Sequence, residues 1–132
     1  MLSNIINSKS IRNEILDFIV NILKDVNEKV VLNYFNKLTP KDIESHLLSL
    51  EGWKENDNIL SITYKLSSFM EVMSFANLVS DRSEKIDHHP KIIIDYDTIV
   101  FELTTHSVEG LTLLDIRLAN FIHETFNEIF TT

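Results

Sequence analysis

The sequence has no cysteine, two prolines, two glycines and few basic residues. Without cysteine there can be no disulfide, thiolate zinc site, cysteine-ligated iron–sulfur cluster or cysteine nucleophile. No apolar run approaches the roughly 18 residues that span a bilayer, so we expect a soluble protein without a membrane partner. The 12 lysines and arginines are outnumbered by 20 acidic residues, which gives a net charge of −8. That charge disfavours direct binding to nucleic acid or to an anionic membrane.

The composition is that of a globular protein with two unequal parts. The 132 residues are 44% hydrophobic and 24% charged, close to the average for a folded domain. Residues 1–37 carry a net charge of +1, whereas residues 38–132 carry −9 and contain every proline and glycine. This contrast predicts an N-terminal helical extension over residues 1–37 and a compact domain over residues 38–132.

The extension carries apolar residues at helical spacing, namely Ile11, Ile15, Ile19, Ile22 and Val26. Ser10 is placed to cap the start of this helix. A helix that packs on its own domain or on a partner subunit is the favoured interpretation, and we then expect a cytoplasmic protein. The alternative is an organellar targeting segment, because residues 1–13 contain Lys9 and Arg12 but no acidic residue.

The first half of the compact domain predicts a helix followed by a hairpin. Thr39 is a good capping residue and Pro40 a favoured first helical residue, so a helix should run from there to about Leu50. The β-branched and aromatic residues over 59–66 predict a strand, and Trp53 is expected in its hairpin partner.

The next segment predicts a second helix and two more strands. The helix should run from Phe69 to about Lys85 and must end before Pro90. Residues 92–94 and 99–101 are apolar runs that predict two strands joined by a turn.

A last helix is predicted after Gly110. Thr112 caps it, and Asp115 is the acidic residue of the capping box. Its buried stripe is expected to comprise Leu114, Leu118, Phe121, Ile122, Phe126 and Ile129. The order of elements favours an α+β fold with one sheet and helices on one face. Such a sheet keeps an open face or edge, which favours self-association.

Three histidines are the main candidates for chemistry. His88 and His89 lie where the second helix gives way to a strand, and His106 follows the next strand. If these strands pair as a hairpin, all three imidazoles come to one end of the sheet and can line one pocket. Imidazole titrates nearest neutrality, so this pocket suits general acid–base catalysis. Glu84 and Asp87 are placed to orient or tune the rings.

Other interpretations of these histidines compete with catalysis. A zinc site is less favoured, because adjacent residues of an extended segment point in opposite directions. A purely structural role at a helix C-terminus has about as much support from composition alone as catalysis has. A serine hydrolase is disfavoured, because no Gly-x-Ser-x-Gly motif is present. His46 and His123 lie on predicted helices and are interpreted as ordinary surface residues.

A longer pattern is more specific than the histidines alone. Seven residues of fixed type stand at fixed spacings over 32 positions: Glu84, His88, His89, Pro90, Tyr96, His106 and Asp115. This pattern resembles the signature of the pterin-4a-carbinolamine dehydratases. The similarity extends to Gly52-Trp53 and to the start of the last helix, and it covers about residues 38–130.

The resemblance implies both a fold and a reaction. Its members have a four-stranded antiparallel sheet with helices packed on one face, and they assemble as homodimers and often homotetramers. They are lyases that dehydrate 4a-hydroxytetrahydropterin, the 4a-carbinolamine, to quinonoid dihydropterin. As 4a-hydroxytetrahydrobiopterin dehydratases they recycle the tetrahydrobiopterin used by aromatic amino acid hydroxylases. The resemblance implies no metal and no organic cofactor.

The resemblance also implies roles for individual residues. His88, His89 and His106 are the expected catalytic residues, with donor and acceptor left open among them. The expected substrate-binding residues are Glu84, Asp87, Tyr96, Thr105 and Asp115. Asp115 is equally expected as a helix cap, and Tyr96 as a turn residue.

The chain departs from the family pattern at two places. Ile92 stands where many members have tryptophan, and Leu114 stands where many have arginine, so the rim of the pocket is altered. Two other functions stay open at this point. One is a non-catalytic dimerisation module for a transcription factor, and the other is a pterin-site enzyme of folate or molybdopterin metabolism.

Overall fold

The structure is a computed structural model that describes residues 14–16, 19 and 34–131. The chain divides into two units, residues 1–33 and residues 34–132, and the second contains all the strands described. Most of the helix predicted for the extension, including its Ser10 cap, lies outside the described residues. The boundary between residues 37 and 38 therefore stays a prediction. Among the residues described, no helix has the length and apolar character needed to cross a bilayer.

The first helix of the compact unit, α1, comprises Pro40–Leu47 and begins as the sequence predicts. The Thr39 side chain accepts a hydrogen bond from the Asp42 amide, and the Asp42 carboxylate accepts one from the Thr39 amide. Hydrogen bonding of the Asp42 carboxylate to the Thr39 side chain, and then to the Thr39 amide, lowers the pKa of Asp42 below its ordinary value. The helix is shorter than predicted and buries Ile43 against the core.

Four strands form one antiparallel sheet in the order β1–β2–β4–β3. Their bounds are Lys54–Asn56 for β1, Ile59–Lys65 for β2, Lys91–Asp95 for β3 and Thr98–Leu103 for β4. The predicted strands are therefore confirmed. Trp53, which was expected within β1, is a buried residue immediately before it.

One face of the sheet carries the core. Alternate residues of β2 and β4 are buried, as the two-residue period of a strand requires: Leu60, Ile62, Tyr64, Ile99, Phe101 and Leu103. Helix α2 (Phe69–Ile86) and helix α3 (Leu113–Thr125) each bury one apolar face in the same core. The ring of Phe75 on α2 lies 5.5 Å from that of Tyr64 and 5.2 Å from that of Phe101, centroid to centroid. The expected α+β fold is confirmed.

The chain leaves α3 through a π-helical turn, Phe126–Phe130. Each residue of a π turn advances less around the axis than in an α-helix, so the buried stripe moves on by one position. Phe130 stacks on Phe75 with centroids 5.0 Å apart, while Ile129 is 57% exposed. The prediction that Ile129 is buried is wrong for this reason.

The β3–β4 hairpin sets the position of the histidines. Its register pairs Lys91 with Glu102 at one end and Asp95 with Thr98 at the other. Pro90 and the residues before it therefore lie at the same end of the sheet as the residues that follow β4. Tyr96 lies in the turn at the opposite end, where it is 70% exposed and has a positive φ of 52°.

Candidate functional site

A cleft of about 340 Å³ lies beyond the end of α2, where β4 leads into a 3₁₀ turn, His106–Val108. All three candidate histidines contribute to its wall. The residues that line this histidine cleft are Phe35, Asp87, His88, His89, Thr104, Thr105, His106, Ser107 and Leu114. The hairpin register predicted from the sequence thus brings the three imidazoles together.

The end of α2 turns the chain so that His88 and His89 diverge. Asp87 ends the helix in the left-handed conformation, with φ 51° and ψ 45°, a conformation common at helix C-termini. The His88 amide then donates to the Ser83 carbonyl at 3.1 Å. After this reversal His88 is buried and His89 is exposed, so the two rings have different surroundings within one cleft.

His88 is held by a carboxylate buried in the core. Its Nε2 lies 2.6 Å from Oδ1 of Asp115, which is fully buried in the first turn of α3. The second oxygen of Asp115 accepts from the Thr105 hydroxyl at 2.7 Å and from the Thr112 amide at 2.9 Å. A carboxylate removed from water needs such donors, and here each oxygen has at least one.

The hydroxyls of Thr112 and Thr105 form a chain of hydrogen bonds that leads to Asp115. Thr105 has a single hydroxyl proton and donates it to Asp115, so the 2.9 Å contact between Thr112 and Thr105 must have Thr112 as donor. The Thr112 oxygen in turn accepts from the Leu114 amide at 3.2 Å. The capping box of α3 and the support of His88 are therefore one hydrogen-bond network.

With an ionised Asp115, this network favours one tautomer of His88. An ionised carboxylate can only accept, so the ring nitrogen that faces Asp115 carries the hydrogen. In the neutral ring Nδ1 then has the lone pair, because only one of the two nitrogens is protonated. His88 is thus a ring with a fixed orientation and one nitrogen left for proton transfer.

The other two histidines face solvent. Nε2 of His89 lies 2.7 Å from Oε1 of Glu84, and both side chains are more than half exposed. His106 opens the 3₁₀ turn, which is closed by hydrogen bonds between the backbones of Thr105 and Gly110. No described residue forms a hydrogen bond with the His106 ring. Neither exposed ring is therefore as constrained as His88, and both can exchange protons with water.

The same part of the chain matches a known family. Residues 36–125 match the family model described as pterin 4 alpha carbinolamine dehydratase. The chain belongs to this family.

Individual proteins with dehydratase names are also similar to this chain. A Sulfurisphaera tokodaii protein that carries the provisional name pterin-4-alpha-carbinolamine dehydratase is 36% identical over 88 residues, 67% of this chain and 95% of the relative. A Thermosynechococcus vestitus protein with the same provisional name is 38% identical over 86 residues, 65% of this chain and 90% of the relative. The crystal structure of a Brucella melitensis protein, described as a transcriptional coactivator/pterin dehydratase, superposes with a TM-score of 0.66 at 31% identity. That superposition covers 67% of this chain and 97% of the other.

The residues that the dehydratase signature suggests for substrate binding lie at different places relative to the histidine cleft. Asp87 and Thr105 line the histidine cleft, and Glu84 contacts it through His89. Asp115 lies behind the cleft wall and reaches it through His88, while it also caps α3 as expected. Tyr96 is a turn residue at the far end of the hairpin, and its expected role in substrate binding stays a prediction.

Several cleft residues were not predicted from the sequence. Phe35 was assigned to the extension, yet it lines the cleft, and no periodic or capping signal marks it. Leu114, where many dehydratases have arginine, was expected in the buried stripe but is half-buried in the cleft wall. Thr104 lies two residues before His106 and Ser107 directly after it, so both could have been included from their proximity in the sequence. Among the residues described, no cluster of three or more histidine and acidic side chains could hold a metal ion.

Proposed function

We propose that this protein catalyses the dehydration of 4a-hydroxytetrahydropterin to quinonoid dihydropterin and water. The observation that carries the proposal is the single cleft lined by three imidazoles, one buried on a carboxylate and two exposed. Membership of the dehydratase family supports the same reaction. As 4a-hydroxytetrahydrobiopterin dehydratase it would act in tetrahydrobiopterin recycling, as a homo-oligomer.

The reaction needs one proton delivered and one removed. The bond between C4a and the hydroxyl oxygen breaks, and a proton added to that oxygen lets it leave as water. A ring N–H of the pterin loses its proton, and its electron pair forms the new C=N bond. The sum is loss of one water with no change of oxidation state, so two positioned acid–base groups suffice.

The different surroundings of the histidines suggest how the roles divide. His88 is held with its hydrogen on Nε2, so its Nδ1 lone pair is the base that takes the proton from the pterin N–H. His89 and His106 exchange protons with water and supply the proton to the leaving hydroxyl. Asp115 is a positioning residue, because it acts through His88.

Stopped-flow kinetics on the full-length protein tests the proposal. Chemically generated 4a-hydroxytetrahydropterin should dehydrate faster with the wild type than spontaneously. His106→Ala should lower the enzymatic rate roughly 10²–10⁴-fold, the range expected when an acid–base group is lost. His123→Ala is the matched control, since His123 lies on α3 outside the cleft and contacts Asn127. No acceleration by a folded wild type would overturn the proposal.

A second candidate is a binding module that stabilises dimers of a transcription factor. The Brucella melitensis relative is described as a transcriptional coactivator as well as a dehydratase, and α2 leaves Met70 70% exposed and Leu78 39% exposed. Met70→Lys should then weaken dimerisation of a homeodomain factor in sedimentation experiments, and His106→Ala should not. No effect of the wild-type protein on dimerisation would favour the enzyme alone.

A further inference from the structure

A second cavity, the interhelical groove, is lined by residues of helices α2 and α3. It measures about 320 Å³, which is within the range of small-molecule sites. None of the described residues that line it also lines the histidine cleft. The groove residues that matter for the argument are Arg82 on α2 and, on α3, Leu113, Ile116, Arg117, Phe121 and Glu124. The proposed dehydratase reaction uses none of them.

The first turn of helix α3 faces both cavities. Leu113 lines the interhelical groove, and the next residue, Leu114, lines the histidine cleft. Consecutive residues of an α-helix point about 100° apart, so the two cavities lie on different sides of this turn. A ligand in the groove therefore does not occupy the space of a substrate among the histidines.

The groove has a cationic part and an acidic end. Arg117 and Glu124 both line it from α3, two helical turns or roughly 10 Å apart along the axis. No carboxylate of the described residues lies within ion-pair distance of Arg117 or of Arg82. The described part of the chain therefore does not neutralise these two guanidinium groups by direct contact.

Arg82 is held in place while one of its donors lacks an acceptor. Its guanidinium carbon lies 5.3 Å from the centroid of the Phe121 ring, a cation–π contact that holds the group against α3. Its Nε atom is buried, and it has no hydrogen-bond partner among the residues described. Buried donors in folded proteins are nearly always paired. A ligand oxygen in the groove would supply the acceptor that this N–H lacks.

We propose that the interhelical groove binds a small organic carboxylate, with Arg82 and Arg117 as its charge partners. A guanidinium group presents parallel N–H donors whose spacing matches the two oxygens of a carboxylate. Leu113 and Ile116 give the groove an apolar wall against which the hydrocarbon part of the ligand packs. This site does not depend on the dehydratase function.

The charges of the groove favour a carboxylate over a phosphate ester. Two arginines and Glu124 together carry a net charge of +1, which one carboxylate balances. A phosphate monoester carries close to two negative charges at neutral pH, so it would leave an excess of negative charge near Glu124. The whole chain has a net charge of −8, which adds to the repulsion of a dianion. A monoanion with an apolar body is therefore the expected ligand class.

Nitrogen-15 NMR titration of the full-length protein tests the site with three probes that share a phenyl group. These are phenylacetate, the uncharged 2-phenylethanol and the dianionic phenyl phosphate. Phenylacetate should bind in the millimolar range and shift the Nε–H signal of Arg82 together with amide signals of α3. The other two probes should bind at least about tenfold more weakly.

Variants assign the binding to the two arginines. Arg82→Lys keeps the charge but loses the forked donors, and Arg117→Gln loses the charge, so each should weaken phenylacetate binding roughly tenfold. Lys85→Gln is the matched control and should bind as wild type. Lys85 also lies on α2, but it pairs with Asp81 at 3.0 Å and does not line the groove.

Several results would overturn the proposal. Equal binding of 2-phenylethanol would mean that the arginines do not select the ligand, and tighter binding of phenyl phosphate would contradict the preference for a monoanion. Shifts confined to the histidine cleft, or no shifts at all, would remove the site. If Arg82→Lys does not fold, Arg117→Gln decides the matter, because the Arg117 side chain is exposed and its loss leaves the core intact.

Discussion

His88 and Asp115 are 27 positions apart in the sequence, yet their side chains meet at 2.6 Å inside the protein. Both are buried, so the contact is shielded from the water that weakens surface pairs. Each oxygen of the carboxylate has at least one hydrogen-bond partner among His88, Thr105 and Thr112. One buried residue therefore joins the start of α3 to the candidate base in the cleft.

Asp115→Asn should damage catalysis through the tautomer of His88. The amide oxygen can still accept from the Thr105 and Thr112 side, but the amide nitrogen then faces His88 Nε2 and requires that atom to accept. The hydrogen of His88 must move to Nδ1, so the proposed base loses its lone pair. We expect a rate loss of roughly 10²–10⁴-fold and a stability loss of about 1–3 kcal/mol.

Nitrogen-15 NMR of the histidine rings distinguishes this effect from simple loss of stability. The chemical shifts of His88 should report an Nε2–H tautomer in the wild type and an Nδ1–H tautomer in Asp115→Asn. An unchanged tautomer with full activity would contradict the positioning role of Asp115.

Two capping threonines offer a direct comparison. Thr39 and Thr112 each form a capping box at the start of a helix, but only Thr112 donates towards the network behind His88. Thr39→Ala should cost about 1 kcal/mol, the usual value for a lost cap, and leave the rate unchanged. Thr112→Ala should cost more and also lower the rate, because Thr105 loses its donor. Urea unfolding and stopped-flow kinetics on both variants check this, and equal rates would count against the network.

Local signals were enough to predict much of the fold. The capping boxes at Thr39 and Thr112 depend on residues within one helical turn, and the structure has both. The hairpin turn near residues 95–98 sets the register of β3 and β4, and this register also brings His106 to the end of the sheet where His88 lies. The same counting places Lys91 opposite Glu102, so that pair could have been found from the sequence.

Features that depend on tertiary packing were not predictable in the same way. Ile129 has the correct helical spacing for burial, but the π turn shifts the inward face to Phe130. The expected contact of Thr105 with substrate stays a prediction, but the hydrogen bond from its hydroxyl to Asp115 could not be foreseen from sequence spacing. Phe35 lines the cleft, although it is not part of the apolar stripe predicted for the extension. None of these three features follows from residue spacing within one element.

Asp87 occupies a position that is locally unfavourable for an acidic residue. It is in the left-handed conformation at the C-terminal end of α2, where the helix dipole repels negative charge. Asp87→Asn removes the charge and tolerates that conformation, so it should stabilise the protein by about 0.3–1 kcal/mol. Because Asp87 lines the histidine cleft, the same change should lower kcat/KM. Thermal unfolding and stopped-flow kinetics measure the two effects.

Glu109→Asn is the matched control for Asp87. Glu109 also has a left-handed backbone, with φ 50°, and follows the 3₁₀ turn, but it does not line the cleft. This change should leave kcat/KM at the wild-type value. If Asp87→Asn likewise keeps full activity, the carboxylate of Asp87 has no role in substrate binding.

Tyr64 should make the fold sensitive to alkaline pH. Burial raises the pKa of its hydroxyl from 10.0 to about 12, and the adjacent Trp53 indole only partly offsets that rise. Neither the Tyr64 hydroxyl nor the Trp53 indole N–H forms a well-aligned hydrogen bond. The folded state therefore holds the neutral phenol while the unfolded chain ionises, so stability is retained below about pH 10 and falls as pH rises towards 12.

Tyr64→Phe should be about 1 kcal/mol more stable at neutral pH and lose less stability between pH 8 and 11 in urea unfolding. Tyr96→Phe, in an exposed turn, should behave as wild type, and parallel pH curves for Tyr64→Phe and wild type would refute the assignment.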